Sequence, residues 1–122
     1  MDRVFFIMGA MSAALGVAAG AFGTHGLRGR LTPDMLNVFE TGVRYHLIHA
    51  LGLLSVAWAT TRWAGQAMNA AGWLFLVGTV LFSGSLYALS VSGVRALGVI
   101  TPLGGIAFIA GWLALAWAVW QG

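Results

Sequence analysis

The stretch that decides the fold is VFFIMGAMSAALGVAAGAFG, from Val4 to Gly23, which carries no charged residue. A helix needs about 20 apolar residues to cross the hydrocarbon core of a bilayer. The stretch is longer than the apolar region of a secretory signal peptide, and it follows a single arginine beside an aspartate rather than a basic segment. It therefore predicts a membrane-spanning helix and not a cleaved leader.

The rest of the chain has the same apolar character. Of its 122 residues, 60% are hydrophobic and only 7% are charged, and the mean hydropathy is +0.90. An ordinary soluble domain has about a quarter of its residues charged, so lipid is the expected solvent. The length suits one domain. The absence of cysteine excludes a disulfide framework, a thiolate nucleophile and a cysteine metal site.

The positive net charge of the chain does not indicate a nucleic-acid partner. The six arginines are scattered and form no basic run. We interpret them as anchors that flank membrane spans. They are Arg3, Arg28, Arg30, Arg44, Arg62 and Arg95.

Four segments are long and apolar enough to cross a bilayer. We predict a single transmembrane domain over 1–122, with helices at about 4–24, 33–62, 70–90 and 102–120. Because all connections are short, neighbouring helices should be antiparallel. The predicted fold is an all-α integral membrane protein, with four transmembrane helices in an up-and-down antiparallel bundle.

The second predicted helix has a clear start signal in Thr32-Pro33-Asp34, with threonine as N-cap and proline in the first turn. From there to Arg62 the helix would be about 45 Å long. A bilayer core is only about 30 Å thick, so this helix should extend beyond the bilayer.

The two halves of the chain resemble each other weakly. Gly26-Leu27-Arg28 precedes Thr32-Pro33, and Gly93-Val94-Arg95 precedes Thr101-Pro102, which repeats the start signal. Two helical hairpins in the same orientation would explain this pattern. So would turn chemistry alone, which favours glycine and proline at such places.

The two ends of the predicted bundle differ in composition. Tryptophans concentrate at the end that holds both termini, and four of the six arginines lie at the other end. Under the positive-inside rule, both termini are on the same side, and that side is outside. The tryptophans are Trp58, Trp63, Trp73, Trp117 and Trp120, and the arginines are Arg28, Arg30, Arg44 and Arg95.

Small residues should supply the helix packing, because they let backbones approach closely within a membrane. Gly16, Gly20 and Gly23 lie on one face of the first helix, and Gly111 lies on a similar face of the fourth. We favour packing within the chain for these faces. Homo-oligomerisation through one of them remains an alternative.

The predicted topology gathers the polar residues on one side of the membrane. Thr41, Tyr45 and His49 share one helical stripe, and Glu40 and Arg44 have the spacing of a helical ion pair. Such a cluster either forms a functional pocket or supplies hydrogen bonds that hold the helices together. We slightly favour the second interpretation. Its members are His25, Glu40, Thr41, Arg44, Tyr45, His49, Ser83, Ser85, Tyr87 and Thr101.

The sequence gives little support to a cofactor or a metal. His46 and His49 point about 60° apart on a helix, and three histidines without a well-spaced carboxylate are a weak zinc signal. A haem held by His25 and His49 is geometrically conceivable. No catalytic or nucleotide-binding motif is present. We therefore expect no cofactor, no metal and no enzymatic activity.

The chain resembles, over nearly its whole length, the small bacterial inner-membrane proteins of domain-of-unknown-function family 423, which have mitochondrial relatives. Thr24 stands where the family usually has alanine, and His46 is not part of its pattern. The resemblance implies a four-helix protein of the bacterial cytoplasmic (inner) membrane and implies no chemistry. It is carried by GAFGTHG (20–26), TGVRY (41–45) with His49, LFSGSLY (81–87), TPLGG (101–105) and AGW (110–112).

We expect a non-enzymatic accessory, assembly or membrane-maintenance protein. Its partners would be the lipid bilayer and either further copies of itself or a larger membrane complex. One alternative is a small oligomeric carrier or channel, with a polar pocket formed by His25, Tyr45, His49 and Ser83. A third hypothesis is a haem or quinone site.

Overall fold

The protein is entirely helical. The computed structural model describes all residues from Met1 to Gly122 and contains no strand, so the predicted all-α fold is confirmed. The helices are α1 (Asp2–Phe22), α2 (Pro33–Thr60), α3 (Gln66–Gly78), α4 (Gly84–Ser92) and α5 (Thr101–Gln121).

Short irregular turns extend or join these helices. A π-helical turn, Gly23–Leu27, continues α1, and a second one, Thr79–Ser83, joins α3 to α4 in one unbroken helix. Gly93 ends α4 in the left-handed conformation at φ 73°, which costs glycine nothing. A 3-10 turn, Arg95–Val99, leads into α5. The chain therefore has four long helices.

Three of the four helices meet both requirements for crossing a membrane, sufficient length and sufficient hydropathy. They are Asp2–Leu27, Gln66–Ser92 and Arg95–Gln121. The exception is α2, although it has 28 residues. It carries His46 and His49, whose side chains are buried against other helices. The two histidines lower its hydropathy without facing the surroundings of the protein, and the exposed Asp34, Glu40 and Arg44 lower it further.

Neighbouring helices run antiparallel, with glycines at the closest approaches. On α1, Gly9 faces Leu54 near the end of α2, and Gly23 faces Phe39 near its start. Gly16 and Gly20 lie between these two contacts. The predicted glycine face of α1 therefore packs against α2 within the chain.

The second half of the chain uses the same type of packing. On α5, Gly104 lies against the Phe82 backbone and Gly111 against the Phe75 ring, so α5 runs antiparallel to the α3–α4 helix. The Phe75 ring also lies over Gly52 of α2. Phe75 is fully buried in the apolar core, so it joins α2, α3 and α5.

The threonines of the two Thr-Pro motifs have different roles at the starts of α2 and α5. Thr32 is the N-cap of α2, and its hydroxyl accepts a hydrogen bond from the Met35 amide at 3.2 Å. Thr101 was expected to repeat this role, but the N-cap of α5 is Ile100, with no side-chain cap. The Thr101 hydroxyl lies 2.6 Å from the Ser85 hydroxyl instead. The Thr101 side chain therefore joins α5 to α4 and does not cap α5.

Candidate functional site

His49 is held by two hydrogen bonds that fix its tautomer. Its Nδ1 lies 2.8 Å from the Tyr45 carbonyl oxygen, which only accepts hydrogen bonds, so Nδ1 carries the proton. Its Nε2 lies 3.0 Å from the Trp112 indole nitrogen, which only donates, so Nε2 carries none. His49 is therefore a neutral imidazole with both nitrogens satisfied.

Aromatic rings enclose the same histidine. The Phe108 ring stacks on it with 3.5 Å between centroids and 5° between planes. The Phe75 ring meets it edge-on at 5.4 Å. Only 3% of the His49 surface is exposed. This end of the polar stripe is a buried contact between α2 and α5, with both histidine nitrogens hydrogen-bonded.

His46 lies on a different face of α2 and bonds to a different helix. Its Nδ1 is 2.8 Å from the Tyr87 hydroxyl of α4. The ring also lies beside Gly16 of α1. His46 thus joins α2 to both α1 and α4.

Two serines complete the interhelical bonds. The Ser83 hydroxyl donates to the Gly42 carbonyl of α2 at 2.7 Å, and Ser83 is 1% exposed. The Ser85 hydroxyl pairs with Thr101 at the start of α5. A membrane hydrogen bond of this kind is worth about 1 kcal/mol. Together with the histidine bonds, they link α2, the α3–α4 helix and α5.

A groove opens beside His46, between α1 and the α3–α4 helix. Its volume is about 480 Å³, and its surface is almost entirely apolar. The polar side chains on its floor are Ser12, His46, Thr79, Ser83 and Tyr87. It opens to the side of the protein, where a membrane would lie.

Half of the predicted cluster lies outside these contacts. His25 is exposed in the π-helical turn after α1, and Glu40 and Arg44 are exposed on α2. Thr41 bonds to the Asn37 carbonyl of its own helix at 2.9 Å. Tyr45 is 38% exposed and packs on Phe82 and Phe108. The structure therefore divides the single predicted cluster.

The predicted Glu40–Arg44 ion pair is absent. The one ion pair in the structure joins the Met1 ammonium group to Asp2 at 4.0 Å. Glu40 and Arg44 are both exposed. An exposed ion pair on a helix contributes only a few tenths of a kcal/mol to stability. That is too little to keep two long, hydrated side chains in contact.

The histidines do not form a metal site. No group of three or more His, Asp or Glu side chains lies close enough together to hold an ion. The Trp112 indole blocks Nε2 of His49, and His25 and His49 share no contact. Haem ligation by this pair would require His49 to lose its tryptophan partner.

Sequence reasoning missed Trp112 and the role of His46. Trp112 looks like a lipid-facing tryptophan, because nothing local shows that its N–H points inward. His46 is not part of the family pattern, so the resemblance assigns it no role. Its position three residues before His49 was the available signal, because it places the two rings on different faces of one helix.

Comparison with known proteins identifies the family. The family model described as "Protein of unknown function (DUF423)" matches residues 19–105. The UPF0382 membrane protein YwdK of Bacillus subtilis is 52% identical over 93% of both chains. The UPF0382 membrane protein SH2409 of Staphylococcus haemolyticus is 45% identical over 93% of this chain and 92% of its own.

No solved structure matches the chain. The family model matches the family that the sequence motifs resemble. The relatives are described as membrane proteins, which agrees with the apolar helices. The chain is a membrane protein and belongs to the DUF423 family.

Proposed function

We propose that the protein is a non-enzymatic accessory, assembly or membrane-maintenance protein with four transmembrane helices. In this proposal α2 is the fourth span of an up-and-down bundle. Its 28 residues correspond to about 42 Å, longer than a bilayer core of about 30 Å. The first turns of α2, which hold Asp34 and Glu40, then project beyond the bilayer.

The observation that supports this proposal is that the buried polar side chains form hydrogen bonds between helices. His49 bonds to Trp112, Ser83 to the Gly42 carbonyl, and Ser85 to Thr101. Each bond links two helices, so these polar groups are already used to hold the helices together rather than to bind a substrate. What remains for function is mainly the outer surface of the helices.

That outer surface is strongly apolar. On α5, Ile106, Ile109 and Leu113 are each more than 60% exposed, and on α1 so are Met11 and Leu15. Lipid and other membrane-embedded chains are the partners that match such a surface. We therefore propose action through contacts inside the membrane, with copies of this chain or within a larger complex.

The carrier or channel alternative has less support. It needs a shared polar pocket of His25, Tyr45, His49 and Ser83. His49 and Ser83 are instead buried and paired, and His25 is exposed at the end of α1. The one groove that reaches a histidine opens sideways rather than through the protein.

Purification at native expression level tests the proposed role. The tagged protein, extracted in mild detergent, should carry a partner in constant ratio, either another membrane protein or a second copy of itself. An unrelated multi-span protein with the same tag is the control for background binding. Recovery as a lone protein that moves a solute across liposomes would contradict the proposal.

We also propose that the protein lies in the bacterial cytoplasmic (inner) membrane with both termini outside. Trp58 and Trp63 flank Arg62, with its guanidinium 5.8 Å and 5.6 Å from their ring centroids. Such an aromatic and basic group is typical of a membrane interface. It supports an interface at the end of α2.

Single-cysteine labelling tests this topology cleanly, because the chain has no cysteine of its own. In intact cells, a membrane-impermeant maleimide should label Ala64→Cys and Gln121→Cys. Asp34→Cys and Ala96→Cys should react only after permeabilisation. All four positions are exposed outside the apolar spans or at their ends. Labelling of Asp34→Cys and Ala64→Cys from the same side would show that α2 does not cross.

A further inference from the structure

A second groove lies along the outer side of α2, at the end of the bundle that holds both chain termini. Its volume is about 580 Å³, and Leu115 and Val119 of α5 form one side of it. On α2 its lining runs from Leu51 to Ala59, about 12 Å at 1.5 Å per residue, and Trp63 extends it past the helix end. One leaflet of the hydrocarbon core has a similar depth of about 15 Å.

The wall of this groove suits a lipid tail. Seven of its eight lining residues are hydrophobic, and Ser55 is the exception. The Ser55 hydroxyl already donates to the Leu51 carbonyl of its own helix at 3.0 Å. Leu51 and Trp58 are 62% and 55% exposed, so the groove is open to the side, where an acyl chain can enter it.

A guanidinium group lies at the mouth of the groove. The Arg62 guanidinium is 5.8 Å from the Trp58 ring centroid and 5.6 Å from that of Trp63, and both rings line the groove. The two indoles meet edge to face at 5.9 Å, and the Trp63 ring lies against Gly122. Two cation–π contacts therefore position a planar fork of the kind that binds phosphate through paired hydrogen bonds.

No carboxylate of the protein balances the charge of Arg62. Of the three acidic residues, Asp34 and Glu40 lie in the first half of α2, toward the opposite end of the bundle. Asp2 lies at the same end as Arg62 but pairs with the Met1 ammonium group at 4.0 Å. Copies of the chain inserted in one orientation bring only these same acids. Charge complementarity therefore favours an anionic headgroup over a second copy.

We infer that this groove binds one anionic phospholipid, of the phosphatidylglycerol type, in the leaflet at the terminal end of the bundle. Its phosphate accepts hydrogen bonds from Arg62, and one acyl chain lies along α2 toward Leu51. A headgroup that also carries an ammonium group meets no free carboxylate here, so it binds more weakly. This site goes beyond the proposed accessory role and does not depend on it.

Two substitutions address the two parts of the site. Arg62→Gln removes the charge at the mouth, and Ser55→Phe fills the groove. Both positions are exposed, where substitutions change stability little. Arg3→Gln is the matched control, because Arg3 is the other arginine at this end, is exposed and does not line the groove.

Native mass spectrometry of the full-length protein in mild detergent, titrated with dioleoyl phosphatidylglycerol or dioleoyl phosphatidylcholine, tests the site. The wild type should bind the first phosphatidylglycerol about fivefold more tightly than phosphatidylcholine. Arg62→Gln should weaken phosphatidylglycerol binding about tenfold, as expected for the loss of a hydrogen bond to a charged group. Ser55→Phe should weaken binding of both lipids about fivefold, since it excludes the acyl chain. Arg3→Gln should bind like the wild type.

Four results would overturn the inference. One is equal affinity of the wild type for the two lipids. Another is an equal loss in Arg62→Gln and Arg3→Gln, since net charge rather than a site would then attract the lipid. The third is wild-type affinity in a folded Ser55→Phe protein. The fourth is a wild-type dimer that Ser55→Phe converts to a monomer without any bound lipid. Partner recovery is measured separately, so failure here leaves the accessory role standing.

Discussion

Gly104→Ala is expected to prevent the normal packing of α5, whereas Gly105→Ala is expected to leave the protein at least as stable as the wild type. A Cβ on Gly104 would lie 2.7 Å from the Phe82 Cα and closer still to the Phe82 amide nitrogen. Backbone atoms inside a helix cannot rotate away as a side chain can. A Cβ on Gly105 would meet the Phe82 ring at 3.9 Å, an ordinary contact.

The two changes are chemically identical and lie next to each other on one helix. Both gain about 1 kcal/mol of helix propensity, so their difference isolates the steric effect. Overpacking a core costs about 1–3 kcal/mol, and more when backbones must separate. We expect Gly104→Ala to lose about 3 kcal/mol or more relative to Gly105→Ala.

Thermal unfolding followed by circular dichroism in one mild detergent measures this difference. Gly104→Ala should unfold at a clearly lower temperature than the wild type, or yield no folded protein at all. Gly105→Ala should unfold at the wild-type temperature or above. Equal midpoints for the two variants would mean that α5 does not approach the α3–α4 helix as closely as the structure has it.

This pair illustrates what the sequence could predict. The apolar runs predict the helices, since length and absence of charge suffice for that. The sequence also shows glycines in α5, but nothing in it distinguishes Gly104 from Gly105. The rotation of α5 about its axis decides which of the two glycines lies against Phe82. Packing against the whole α3–α4 helix sets that rotation.

The polar residues show the same limit. The stripe of Thr41, Tyr45 and His49 was predicted as one unit, yet only His49 is buried. Helical spacing gives the face that residues share and not the neighbour that each one meets. The bond from His49 to Trp112 joins residues 63 positions apart, so it follows from the tertiary arrangement alone.

His49→Ala is expected to destabilise the protein strongly, whereas His25→Ala should change little. The first substitution removes a ring stacked 3.5 Å from Phe108 and leaves the Trp112 N–H without a partner. Truncation of a large buried side chain costs about 2–5 kcal/mol, and we expect about 3. His25 is exposed, so its loss should stay within about 0.5 kcal/mol. The same unfolding measurement compares both.

A double-mutant cycle separates the hydrogen bond from the packing. Trp112→Phe keeps an aromatic ring and removes the donor, and His49→Phe keeps a ring on Phe108 and removes the acceptor. If the bond holds α2 to α5, the cycle should give a coupling of about 1 kcal/mol. A coupling near zero, with His49→Ala as stable as His25→Ala, would mean that His49 is not needed for the fold. Its two hydrogen bonds would then have to be explained by function, and the pocket hypothesis would regain its basis.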